Sequence, residues 1–89
     1  MKVYIYILKI DRKRYYTGIT KNMVQRLNQH LARQCISTRK YKELSVMCIE
    51  KRDSYNTARV LELYIKRKGA KKYLSDKGFK EQRFDFLLN

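Results

Sequence analysis

RYYTGITKNMVQRLNQH, residues 14 to 30, changes its hydrophobic period part-way along. Its first half, RYYTGIT, is rich in aromatic and β-branched residues and reads as a strand. From Asn22 onward Met23, Leu27 and Leu31, with Val24 beside them, recur at helical spacing, and Asn22 followed by Gln25 matches a capping box. The segment is therefore a strand feeding a helix over about 22 to 33. Gly18 lies inside the strand, where glycine is costly unless backbone or ligand must come close. Arg26 and His30 are four residues apart on the helix, so they stack on one flank of its apolar stripe and can act on one object.

The neighbouring segments extend this pattern. In VYIYILKI (3 to 10) Val3, Ile5 and Ile7 alternate with Tyr4, Tyr6 and Leu8, a strand covered on both faces. DRKR (11 to 14) is short enough to be a hairpin loop joining it to RYYTGIT. Tyr15 and Tyr16 then face opposite sides of the sheet. After a basic stretch, STRKYK (37 to 42), the segment ELSVMCIEK predicts a third strand, with Leu44, Val46 and Cys48 on one face and Met47 and Ile49 on the other. Ser54 starts a second helix whose expected buried stripe is Ala58, Leu61, Tyr64 and Ile65, stopping at Gly69. Glu62 falls just outside that stripe, about 100° round from Leu61, so it is expected to be partly desolvated yet reachable. Its i+4 neighbour is Lys66, the spacing of a helical salt bridge. AKKYLSDKG predicts a third short helix ending at Gly78; QRFDFLL (82 to 88) reads as either a strand or an amphipathic tail. The order is ββαβα plus a short C-terminal element. The fold class is α/β, a small three-stranded, mainly antiparallel sheet flanked by helices.

Composition sets the partners. Lysine and arginine number 22 against 8 acidic residues among 89, a net charge of +14. A field of that size on so small a body attracts polyanions, which points to nucleic acid. Cys35 and Cys48, with a single histidine, cannot assemble a four-ligand zinc site, and they read as thiols of a reducing compartment. VYIYILKI is too short and too polar for a signal-peptide core or a membrane span, so the expectation is an intracellular protein, cytoplasmic or nucleoid-associated. Hydrolysis of a phosphodiester needs an activated water and compensation for charge on the phosphate. Tyr6, Tyr16, Arg26, His30 and Glu62 are residue types suited to that work. Taken one at a time, each also fits packing or surface charge. The residues by themselves read as a basic nucleic-acid-binding α/β domain with a candidate site.

The joint pattern is narrower. YIY at 4 to 6, YTG at 16 to 18, Arg26, His30, and Glu62 within the helical ARVLEL occur in the order that resembles the GIY-YIG nuclease superfamily. STR at 37 to 39 resembles the short stand-alone branch in particular. The first motif lacks a leading glycine, and the neighbourhood where several members carry an asparagine reads SDKGFK (75 to 80). The resemblance covers about residues 2 to 75, leaving 76 to 89 as a tail, and it implies one nuclease domain over 1 to 89. It implies a metal-dependent endonuclease that hydrolyses DNA, with little sequence specificity or with a structure preference. The alternative is a non-catalytic basic module of the same fold.

The roles it implies are these. Tyr6 and Tyr16 line the active site and position or deprotonate the attacking water, with Gly18 allowing a tight backbone turn beneath them. Arg26 binds the scissile phosphate, and His30 carries or positions a proton beside it. Glu62 holds a single Mg²⁺ or Mn²⁺. Arg39 contacts the strand, and Lys21, Lys40 and Lys42 add to the nucleic-acid surface. The substrate is DNA, whether duplex, single-stranded or branched. Target choice is expected from this domain, a homodimer or a protein partner.

Overall fold

In the computed structural model, residues 2–11, 13–32, 34 and 44–78 are described. Arg39, Lys40, Lys42, Cys35 and the tail from 79 onward lie outside them. The described elements run β1 (Val3–Lys9), β2 (Tyr15–Thr20), α1 (Met23–Leu31), β3 (Ser45–Arg52), α2 (Tyr55–Lys68) and α3 (Ala70–Lys77). The strands form one antiparallel sheet in the order β2-β1-β3. The predicted α/β class and element order hold.

β1 is central because it is apolar on both faces. Val3, Ile5 and Ile7 pack with Ala58, Ile65, Tyr73 and Leu74 of α2 and α3. Tyr6 and Leu8 pack on the other face with Met23 and Leu27 of α1. Each fully buried aliphatic side chain contributes on the order of 2 kcal/mol by leaving water. Two thin cores, one on each side of the sheet, therefore hold the molecule together. Tyr15 and Tyr16 divide between them as expected, Tyr15 toward α2 and α3 and Tyr16 toward α1.

Two helix starts follow the sequence signals. The Asn22 side chain accepts from the Gln25 backbone N–H at 3.0 Å, and the Ser54 hydroxyl accepts from Thr57 N–H at 3.2 Å. At α1 the Asn22 N–H is taken by the Thr20 hydroxyl at 3.1 Å, so half of the expected capping box is replaced by the preceding strand. Gly69 joins α2 to α3 at φ +95°, where a side chain would be strained. Its N–H donates to Ile65 O at 2.8 Å while its carbonyl accepts from Tyr73 N–H at 2.9 Å, so one residue closes one helix and opens the next.

The structure departs from the expected faces in two elements. A β-bulge in β3 sets Ile7 opposite Cys48 but Leu8 opposite Val46, leaving Met47 as the extra residue. Leu44, Val46 and Ile49 consequently share the α1 side, and Met47 and Cys48 share the α2 side. On α2, Tyr64 is not in the buried stripe. It is 47% exposed, standing edge-on to Tyr73, while Glu62 takes a buried position. Tyr73 is itself anchored to β3, its hydroxyl donating to the Glu50 carboxylate. Cys48 is a free, buried thiol whose pKa burial pushes up to about 12, which leaves it unreactive.

Candidate active site

Tyr6 and Gly18 are directly opposed across the β1–β2 ladder. The Tyr6 ring lies over the space that a Gly18 side chain would fill, and a Cβ there would sit far inside contact distance of its hydroxyl end. Gly18 is needed for the tyrosine ring, then, rather than for a tight backbone turn. The Tyr6 ring continues past Gly18 to α1. Its hydroxyl lies 3.0 Å from His30 Nε2, both side chains being buried. Tyr16 completes the cluster, its ring 5.3 Å from the His30 ring and 6.1 Å from that of Tyr6. The His30 ring meets both tyrosine rings edge to face, an arrangement favoured by their quadrupoles, while the two tyrosine rings are tilted by 41° to each other.

Arg26 lies one helical turn before His30, half-buried, and its guanidinium makes no hydrogen bond or ion pair among the described residues. Burial, with the Arg26 charge adding to it, lowers the His30 pKa from its ordinary value, so the imidazole is neutral at pH 7. When its proton is on Nδ1, Nε2 accepts from the Tyr6 O–H. Arg26 and exposed Lys21 border a cleft that also takes in Thr20, Gln25 and Tyr55 at the start of α2. A second cleft, lined by Tyr15, Tyr16, Thr17, Lys66 and Lys71, lies at the other end of β2.

Glu62 sits on α2, which packs against β1 and β2 from the opposite side to α1. At 3% exposure it is more buried than its place on the helical wheel suggests. Both carboxylate oxygens are engaged, Oε1 by Arg59 Nη1 and Oε2 by Lys66 Nζ at 3.4 Å. The structure therefore joins Tyr6, Tyr16 and His30 directly, with Arg26 alongside. Glu62 contacts its own helical neighbours instead, one of which, Lys66, also borders the Tyr16 cleft. Lys66 is the helical partner expected from its spacing; Arg59, at i−3, was not singled out by the sequence, although the same rule would have found it.

The family model described as the GIY-YIG catalytic domain matches residues 2–74. The chain belongs to that family. Neither the curated proteins nor the solved structures compared with it give a match. GIY-YIG domains are generally endonucleases that use divalent metals, which makes nucleic acid the class of substrate. Among the described residues no helix is long and apolar enough to cross a membrane, and no three His, Cys, Asp or Glu side chains gather as a metal cage. In this GIY-YIG domain a metal would have Glu62 as its one described protein ligand. A single hard carboxylate suits Mg²⁺ or Mn²⁺, which keep several waters and take further oxygens from a phosphate. The donor set fits.

Proposed function

We propose that this GIY-YIG domain is a metal-dependent endonuclease that hydrolyses DNA phosphodiesters, with little sequence specificity or with a preference for substrate structure. The observation that carries the reading is the Tyr6–His30 hydrogen bond beside Tyr16 and Arg26, whose guanidinium has no ion-pair partner among the described residues. A neutral imidazole bonded to a phenol can take the phenol's proton as the phenol takes one from water near the exposed part of Tyr16. The planar fork of Arg26 suits the non-bridging phosphate oxygens, whose charge grows as water adds to phosphorus. The sugar oxygen leaves as the P–O bond opens. Glu62 would hold Mg²⁺ or Mn²⁺, which when bound supplies a Lewis acid to offset developing negative charge. Gly18 keeps the Tyr6 ring seated, and Lys21, Arg39, Lys40 and Lys42 hold the strand by its phosphates without reading sequence. A second copy of the domain or a protein partner presents the DNA to it.

The ion pairs of Glu62 with Arg59 and Lys66 favour the second reading, a non-catalytic nucleic-acid-binding module in which Glu62 is structural. Incubation with plasmid, single-stranded, nicked and branched DNA separates the two. The nuclease reading expects cleavage with Mg²⁺ or Mn²⁺ that is lost in chelator and in Glu62→Ala. Cleavage that persists in both removes the metal-site assignment. A folded, DNA-binding protein that cuts none of these substrates is the non-catalytic module.

A further inference from the structure

We propose that Arg59 and Lys66 are resident counterions that compete with the divalent cation for Glu62. The inference rests on the reading of Glu62 as the metal ligand. The Glu62 side chain is 5% exposed and each oxygen already faces a cation, so a metal reaches either oxygen only by displacing one of them. The two cations differ from Glu62 in being able to leave. Their side chains are 47% and 51% exposed, on flexible stems that can turn to solvent at little cost. Charge requires the exchange. Two cations already outweigh one carboxylate, and a divalent ion added with both in place would face strong like-charge repulsion at close range.

Lys66 is the looser partner at 3.4 Å, and it also borders the cleft with Tyr15, Tyr16 and Lys71. Once released from Glu62, its ammonium has a phosphate-facing position beside Tyr16. The converse also holds: a phosphate in that cleft draws Lys66 away and uncovers Oε2. Metal and DNA binding are then coupled through Lys66 and strengthen one another equally, as linkage demands.

The test measures Mn²⁺ affinity of the DNA-free protein by electron paramagnetic resonance of the unbound ion. Lys66→Met and Arg59→Leu are expected to bind Mn²⁺ up to about fivefold more tightly than the parent, the upper end of the scale for a solvent-screened ion pair. Arg59→Lys keeps the charge and should match the parent. Lys13→Met removes an exposed charge of the hairpin loop that is not paired with Glu62, and should also match it. Glu62→Gln should lose the site. If Glu62→Gln binds as the parent does, the metal-ligand reading fails. If Glu62→Gln loses Mn²⁺ but Lys66→Met and Arg59→Leu bind no more tightly than Lys13→Met, the competition alone fails. Should the variants unfold, a Mg²⁺ titration of the unaltered protein followed by the Arg59 Nε–H resonance decides instead. Competition requires that signal to move and saturate with the metal; an unmoved signal overturns it.

Discussion

The two faces of the sheet carry the two halves of the proposed site in opposite physical states. On the α1 face Tyr6, Tyr16 and His30 are in ring contact, and a buried hydrogen bond joins Tyr6 to His30. Burial and packing hold that arrangement. On the α2 face Glu62 is a buried charge whose companions are two half-exposed cations on its own helix. That arrangement is exchangeable. The difference teaches that one half of the site is built by shape and the other by charge balance, so substitutions and conditions should act on them differently.

The largest expected effect breaks the comparison at Arg26, the proposed phosphate ligand. Arg26→Ala should lower cleavage about 10²- to 10³-fold, the usual loss for one group aimed at developing charge. Because the guanidinium makes no described bond, the melting temperature should hardly change. A large fall in stability would instead make Arg26 part of the packed half. Gly18→Ala comes next, because its Cβ would collide with the Tyr6 ring. It should cost about 2 to 3 kcal/mol in urea denaturation, within the range for overpacking. In the Tyr6→Ala background the same change should cost much less, and equal costs in the two backgrounds would disprove the ring-over-glycine contact.

Tyr6→Phe keeps the ring and removes the hydroxyl from His30 Nε2. It should cost about 1 to 2 kcal/mol, the penalty for stranding a buried polar atom, with a loss of cleavage larger than the loss of stability. The smallest effect is with pH. His30 has its folded pKa lowered, so the stability it contributes is present above its ordinary value of 6.5 and is lost as pH falls through the folded value. Denaturation followed from pH 7.5 to pH 5 should show an added slope of at most about 1.4 kcal/mol per unit, absent in His30→Gln. A slope that survives in His30→Gln would place the titrating group elsewhere.

What could be read in the sequence was whatever depends on near neighbours along the chain. The caps at Asn22 and Ser54, the stops at Gly69 and Gly78, the stacking of Arg26 on His30 and the two-faced β1 are all set within a turn or a strand. The errors came where two segments meet. The period-2 rule placed Cys48 with Val46, and a bulge that absorbs Met47 against β1 undid it. The helical wheel put Tyr64 inside and Glu62 at the border. Packing against the sheet rotated α2 the other way. Gly18 was marked as a close approach, but the group that approaches, Tyr6, is known only from the strand register.

The sequence by itself determined an α/β domain of the GIY-YIG family, a strongly basic surface, and the residue types of a phosphodiester-cutting site, because motif spacing, hydrophobic period and net charge are properties of the chain alone. Only the tertiary structure decided that Tyr6 and His30, 24 positions apart, share a hydrogen bond, and that Glu62 is buried between Arg59 and Lys66 on the far side of the sheet. Those depend on strand register and on how each helix is rotated against the sheet, which are settled by the fit of distant surfaces and by the cost of burying a charge without partners.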